Sequence, residues 1–359
     1  MVNGNLSLFE PDSKGDAGFS SGGFMADITA TGTVDSGSQQ QWMTRNSEFP
    51  SWKGSNWNEV FLGSPNAPPD NCSEDGGPNA YTTIDKTPLI AEKPYISEKD
   101  GKFTLNVPRV EKDKVGATKD YQNADQIDFS NVFVANEKTT ADEISKKINE
   151  EGLDVVLQPG IYHLYDTIHV ERENAVILGI GMATLICNNG PCIEVGNYDG
   201  VRVAGILFEA GEVSSPALLS WGQQSFQGNE SNPGVASDIF ARVGGPNNVD
   251  AYEERAESMM TVHSGNVVID NTWFWRADHD VSGDVKFSKN PVDHGLVVNG
   301  DNVKAYGLKS EHTLKDLVQW NGENGLTIMY QSELPYDVDV DFGESGYAGY
   351  RVSPTVNSH

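Results

Sequence analysis

Short apolar runs, each preceded by a turn that contains Asn or Gly, recur along the second half of the chain. They begin at Val176, Val201, Val267, Val303 and Leu326. The first and last of the intervals between them, each roughly 25 residues, match one coil of a parallel β-helix, whereas the two longer ones require inserted loops or degenerate coils. The turn precedes the strand in every copy, and such a repeat without an accompanying helix is typical of a β-solenoid. An antiparallel sandwich, whose turns are equally rich in Gly and Asn, is the alternative.

One segment has a convincing helical pattern. In TTADEISKKINEEG, residues 139–152, Ile144 and Ile148 fall on one face, Thr140 is a suitable N-cap and Gly152 a suitable stop. The run GLDVVLQPGIYHLYDTIHV that follows resembles the first coil after a capping helix. We therefore predict an all-β fold, a right-handed parallel β-helix over 139–359, with a capping helix at 139–152 and an insertion at about 222–262.

The first third of the chain has a different organisation. Residues 22–49 again resemble solenoid coils, so 1–47 is predicted to be the end of a first β-helix. Residues 48–138 are rich in Pro, Asn and Asp and are predicted to form an irregular connecting segment packed over the coils, since aromatic residues such as Trp52 argue against disorder. Because a solenoid is expected to carry caps, we also expect this chain to be part of a longer protein or to depend on a partner.

Composition narrows the range of partners. The chain has 25 Lys and Arg against 52 Asp and Glu, a net charge of −27, which disfavours nucleic acid and anionic membranes. There is no apolar run of ~20 residues that could span a bilayer and no signal-peptide pattern at the N-terminus. Of the three cysteines, Cys187 and Cys192 bracket a turn that could close a disulfide loop, whereas Cys72 stands alone in a loop.

Two glutamates, Glu311 and Glu333, end neighbouring strand-like runs that lie about one such repeat apart. In a β-helix, residues one coil apart stack at ~4.8 Å, so the two carboxyls are predicted to lie close together on one face. Alignment from Val303 and Leu326 puts them one position out of register. Paired carboxyls acquire different pKa values, which glycoside hydrolysis requires. Nearby side chains suited to binding a sugar are Trp320, Tyr330, Tyr336 and Gln331.

Several motifs together resemble those of the large β-helical proteins related to glycoside hydrolase family 55. They are SGSQQQWMTRN, VVLQPGIYHL, WFWRADHD, HGLVVNGDNV, GLKSEHT, VQWNGENG and YQSELPYD. The resemblance runs from about residue 20 to 342. It implies a double β-helix of the pectin-lyase type, exo-acting β-1,3-glucanase activity with inversion, and a location outside the cell or on its surface.

The resemblance also implies roles for individual residues. Glu333 in QSELPY corresponds to the general acid and Glu311 in KSEHT to the carboxylate that positions the attacking water. Glutamines of the first helix complete the water site, and Gln39 and Gln41 are favoured over Gln40 because alternate residues on a strand face the same way.

The run WRADHD contains the other candidate site. Asp278 and His279 are of metal-ligand types, but their spacing matches no zinc site, and a sugar-binding rim with Trp273 and Trp275 is the alternative. Alternate acids in YDVDVDFGE, residues 336–344, depart from an EF-hand loop and favour an exposed acidic strand. The run GIGMATLIC lacks the third glycine of a dinucleotide site. We predict no metal and no cofactor.

The function predicted from the sequence is hydrolysis of a polysaccharide, most simply a β-1,3-glucan. A non-catalytic β-helix that binds glycan or belongs to a surface assembly is the main alternative. A polysaccharide lyase is disfavoured, because binding a polyanionic sugar usually requires basic residues that this chain has in small number.

Overall fold

The structure is a computed structural model that describes residues 1–54, 57–71, 80–119, 123–223, 226–245, 253–280, 283–285 and 289–359. Cys72 lies outside these residues. The chain forms two compact units. Unit 1 comprises Met1–Glu92 and Pro108–Asp125, and unit 2 comprises Lys93–Val107 and Gln126–His359. No helix among the described residues is both long and apolar enough to cross a membrane.

The first twelve strands lie within residues 1–128. They are β1 Leu6–Ser7, β2 Gly23–Ala26, β3 Val34–Asp35, β4 Gln41–Arg45, β5 Trp52–Lys53, β6 Asn58–Leu62, β7 Tyr81–Ile84, β8 Thr87–Ile90, β9 Tyr95–Lys99, β10 Lys102–Pro108, β11 Glu111–Lys114 and β12 Ala124–Asp128.

The remaining elements belong to unit 2. They are a 3-10 turn Phe129–Asn131, β13 Val132–Ala135, α1 Ala141–Asn149, β14 Asp154–Leu157, β15 Ile161–Leu164, β16 Ile168–Val170, β17 Val176–Cys187, β18 Ile193–Val195, β19 Arg202–Ala210, β20 Leu219–Trp221, β21 Gly234–Val243, β22 Ala256–Val262, β23 Val267–Arg276, β24 His279–Asp280, β25 Gly283–Asp284, β26 Val292–Val298, β27 Lys304–Glu311, β28 Val318–Trp320, β29 Leu326–Glu333, α2 Val340–Glu344 and β30 Tyr350–Val352.

Unit 2 is a parallel β-helix. One sheet has the order β13-β14-β17-β19-β21-β23-β27-β29, with β15 also paired to β17, and a second has the order β16-β18-β20-β22-β26-β28-β30. Between them lies a continuous core of aliphatic side chains with a few aromatic ones, including Phe208, Phe274 and Trp320. The predicted β-helix is therefore confirmed, and the antiparallel sandwich is excluded.

In the first of these sheets, the strands β19, β21, β23, β27 and β29 each bend at one residue with left-handed backbone. In chain order these residues are Gly205, Asp238, Asn271, Gly307 and Met329, and the pairing places them at the same level of successive coils. The Asn271 amide donates to Asp238 Oδ1 at 2.7 Å, which ties two of the bends together. The bend fixes which side chains after it point outward, and the candidate site begins two residues beyond it.

The predicted helix is confirmed as α1, where the Thr140 hydroxyl accepts from the Glu143 amide at 3.2 Å. Ile144 and Ile148 join the core of the β-helix. The longest interval of the repeat, from Val201 to Val267, proves to be two coils, because β21 pairs in parallel with both β19 and β23. The region 222–262 therefore includes two coil strands, β21 and β22, and is not solely an insertion.

The region 48–138 also differs from the prediction of an irregular connection. Strands β6 and β7 continue the parallel sheet β2-β4-β6-β7 of unit 1, and β5 continues the sheet β1-β3-β5, so these ladders extend beyond residue 47. The antiparallel hairpin β9–β10 does pack over the coils as expected, with Leu105 against Val156 and Val176. The sequence did not indicate strands β5, β6 and β7 because each is only two to five residues long and contains few apolar residues.

Candidate active site

Glu311 and Glu333 are direct neighbours on the parallel strands β27 and β29. The register pairs Lys304 with Leu326 and Glu311 with Glu333, so the offset between the two strands is the same at both ends. The expectation that the two glutamates are one position out of register is wrong, because the alignment began at Val303 and not at the bend. Both side chains project to the same outer face, ~4.8 Å apart at the backbone.

The environments of the two carboxyls differ. Glu311 is 9% exposed, whereas the side chain of Glu333 is 37% exposed. The pKa of Glu311 is raised to about 7, mainly by burial; hydrogen bonds from Trp273 and Gln331 oppose the rise, and the charges of Glu333 and Asp278 add to it. A buried, readily protonated carboxyl thus lies beside a more accessible one, which is the kind of asymmetry that acid–base chemistry requires.

Polar side chains surround the carboxyl of Glu333. The Gln331 amide donates to Glu333 Oε1 at 3.2 Å, and the Tyr336 hydroxyl donates to Oε2. That hydrogen bond to Glu333 raises the pKa of Tyr336 to about 12, so the phenol remains a donor at neutral pH. Gln331 and Tyr336 therefore both lie at the carboxyl pair, and their role in binding substrate stays a prediction.

The preceding coil contributes an aromatic platform. Register places Trp275 beside Glu311 and Trp273 beside Lys309, on the same outer face. The two indoles lie 6.1 Å apart at 34°, and the exposed His279 ring is 5.2 Å from Trp275. Asp278 Oδ1 lies 2.9 Å from His279 Nδ1. Such a surface suits the apolar face of a sugar, with polar groups at its edge.

Two predicted sugar-stacking residues are misplaced. Trp320 is fully buried, lies between Val298 and Val352 in the second sheet, and stacks on Tyr350. Tyr330 packs against the core, and its hydroxyl donates to the Gly349 carbonyl at 2.5 Å. Both predictions are wrong for the same reason: side chains alternate along a strand, and these residues have the inward parity.

Gln39 and Gln41 belong to unit 1. The amide of Gln39 is engaged with backbone, accepting from Gly22 at 2.7 Å and donating to the Leu8 carbonyl at 2.6 Å. Gln41 is the first residue of β4 and is partly exposed. Their role in holding water stays a prediction.

The acidic residues considered as metal ligands are arranged differently from a metal site. Within the described ranges, no three His, Cys, Asp or Glu side chains are grouped so as to hold a metal ion. The acidic run at 336–344 is not a strand: Asp339 is the N-cap of α2 and accepts from Phe342 at 3.1 Å. These acids therefore have a structural explanation at a helix start.

Two residues beside the glutamate pair were not among those that the sequence indicated. Lys309 lies two residues before Glu311 with the same parity, and burial lowers its pKa against the pull of the Glu311 charge. His312 follows Glu311 directly, is 2% exposed, and has left-handed backbone with φ 63°. The alternation of side chains along β27 would have indicated Lys309. No sequence pattern indicates that the His312 ring lies beside Glu333.

Comparison with known proteins places the chain in a family. A family model for the LAM55 pectate lyase-like domain matches residues 132–333. An exo-beta-1,3-glucanase of Streptomyces sp. (strain SirexAA-E / ActE) is 37% identical over 367 aligned residues, which include all of this chain and 58% of that protein.

Solved structures agree with the sequence match. The structure of sacteLam55A from Streptomyces sp. SirexAA-E superposes with a TM-score of 0.89 at 37% identity, covering 99% of this chain and 63% of that one. A variant of sacteLam55A in complex with glucose gives a TM-score of 0.88 at the same identity and coverage. This chain thus spans less than two thirds of the length of these relatives. Because the family model covers more than half of the chain, the protein belongs to the family of LAM55 pectate lyase-like domains.

Proposed function

We propose that this chain belongs to a glycoside hydrolase that releases glucose from the ends of β-1,3-glucan with inversion at the anomeric carbon. The observation that carries the proposal is the in-register pair of glutamates with unequal burial. The 37% identity to a protein named exo-beta-1,3-glucanase supports the choice of glucan and of exo cleavage.

Glu333 is the proposed general acid. Its carboxyl is the more exposed of the pair, so a glycosidic oxygen can reach it, and Tyr336 and Gln331 fix its orientation. Glu311 is proposed to hold the attacking water on the opposite side of the sugar ring, a role that requires the ionised carboxylate and therefore a pH near or above its raised pKa of about 7. Inversion requires room for that water, with the carboxyls ~6.5–9.5 Å apart in the complex.

Trp273 and Trp275 are proposed to stack on the sugar, with Asp278 and His279 at its rim. They lie one coil before Glu311, close enough for one glucose unit to contact both the platform and the carboxyls. Gln39 and Gln41 are proposed to contribute to the water site.

A location outside the cell is also proposed. Cys187 and Cys192 form a disulfide with Cα atoms 4.9 Å apart, and disulfides persist mainly in oxidising compartments. A polymeric substrate that cannot cross a membrane is consistent with this location.

The test incubates the purified chain with laminarin, and in parallel with cellulose and an α-glucan. We expect glucose from laminarin alone, appearing first as the α-anomer by NMR. Laminarin binding without release of sugar would support the non-catalytic alternative and overturn the proposal, and release of longer oligosaccharides would contradict exo cleavage.

A further inference from the structure

His312 has a buried ring nitrogen that the roles described above leave unused. Its Nε2 lies 3.5 Å from Glu333 Oε2 and makes no hydrogen bond to any described residue. A buried polar atom without a partner is costly, by about 1–3 kcal/mol. Such an atom beside a carboxyl that must carry a proton indicates a shared proton.

The other ring nitrogen faces acceptors. Nδ1 is 3.4 Å from the Arg276 carbonyl and 3.7 Å from Asp278 Oδ1. A backbone carbonyl can only accept, so Nδ1 carries a hydrogen. Nε2 of the neutral ring is then a lone pair directed at Glu333, and in the charged ring it is a donor to the same oxygen.

The backbone holds this ring in place. The His312 amide donates to the Glu333 carbonyl at 2.7 Å, and its own carbonyl accepts from the buried Arg276 guanidinium at 3.4 Å. The Tyr336 ring covers the imidazole at 4.7 Å between centroids. A left-handed residue other than Gly is uncommon, so this ring position is maintained by its surroundings.

We propose that His312 is a positioning residue that shares one proton with Glu333 through Nε2 and returns a proton to it after each turnover. The inference rests on the proposed function. Glu333 gives the shared proton to the leaving glycosidic oxygen, which leaves a carboxylate beside a neutral ring. Nε2 then takes one proton from the solvent and passes it to Oε2, while the proton that the attacking water loses passes through Glu311 to the solvent.

The charged and titratable groups around the ring favour this sharing. Asp278 and Arg276 face it from the end of β23, Glu333 and Tyr336 from the end of β29, and Glu311 precedes it on β27; Asp337 also acts on Arg276. Removing the imidazole takes this partner away from Glu333, so a variant that lacks it should lose activity at a lower pH than the wild-type chain does.

The test compares His312→Asn with the wild-type chain on laminarin oligosaccharides from pH 4 to 9. Asn tolerates left-handed backbone but cannot titrate or reach Glu333. We expect the alkaline limb of kcat to move to lower pH by at least one pH unit, and kcat at pH 7 to fall about 10-fold or more, with KM within about 2-fold.

His163→Asn is the matched control. His163 is an exposed histidine on β15, at the other end of the sheet that carries Glu311 and Glu333. It should leave the pH profile unchanged. Equal melting temperatures for both variants would show that folding is intact. An unchanged alkaline limb in active His312→Asn overturns the inference, whereas a wild-type chain that releases no glucose overturns the proposed function instead.

Discussion

Replacing Glu311 by Gln should stabilise the protein at alkaline pH while it abolishes activity. Burial raises the pKa of this carboxyl from 4.5 to about 7, so the folded state binds its proton more tightly than the unfolded state does. Folding is therefore favoured while Glu311 is protonated, and the free energy of unfolding falls as the pH rises from 4.5 through about 7.

The size of the effect follows from the pKa difference. At about 1.4 kcal/mol for each pKa unit, a rise from 4.5 to about 7 corresponds to about 3 kcal/mol lost by pH 8. Only 9% of Glu311 is exposed, so solvent screens little of it. Gln has nearly the same shape and no charge, so the variant avoids this loss. We expect it to exceed the wild type by about 2–3 kcal/mol at pH 8 and to match it at pH 4.5.

Urea unfolding followed by tryptophan fluorescence at pH 4.5 and pH 8 measures the difference. Glu59 of unit 1 also has its pKa raised to about 7 by burial, but it is present in both proteins and cancels. Glu194→Gln on β18 is the control, because that side chain is exposed. The reasoning is refuted if Glu311→Gln shows the same stability difference at both pH values, or is the less stable protein at pH 8.

Two further predictions separate the roles of site residues. Glu333→Gln should lower kcat on laminarin by about 10²–10⁴-fold yet retain activity on 2,4-dinitrophenyl β-glucoside, whose leaving group needs no protonation, whereas Glu311→Gln should lose both activities; the reverse pattern would exchange the two roles. Trp320→Ala should lower the free energy of unfolding, measured by urea titration, by about 3–5 kcal/mol. Trp273→Ala should change that free energy by less than about 1 kcal/mol but weaken laminarin binding, measured by calorimetry. Equal losses of stability in the two variants would contradict the buried position of Trp320 and the exposed position of Trp273.

Much of the β-helix could be predicted because each coil repeats the same turn and strand. The sequence also predicted that Glu311 and Glu333 lie one coil apart, because no insertion separates β27 from β29. The exact register of these two strands could not be predicted. The first apolar residue of a strand indicates the register less well than the left-handed bend at Gly307 and Met329 does. That bend depends on contacts between coils, which a single sequence does not display.

Side-chain direction accounts for the errors within the site. Gln331 and Glu333 share one parity on β29, so Tyr330 between Met329 and Gln331 must face the other way. The same rule puts Val318 and Trp320 inside and Gln319 outside on β28. Aromatic type alone suggested sugar stacking, but burial decides it. His312 lay beyond any such rule, because its position depends on backbone geometry after the strand ends.

The difference between the two glutamates follows from their places in the stack of coils. Glu311 has a neighbour on each side, Trp275 on β23 and Glu333 on β29, which together remove it from water and raise its pKa. Glu333 lies on β29, the last strand in the order of this sheet, so among the described residues no strand pairs on its other side. One residue type at one position of two successive coils thus acquires two environments. The end of the sheet is therefore what allows a repeated glutamate to serve as a pair with distinct roles.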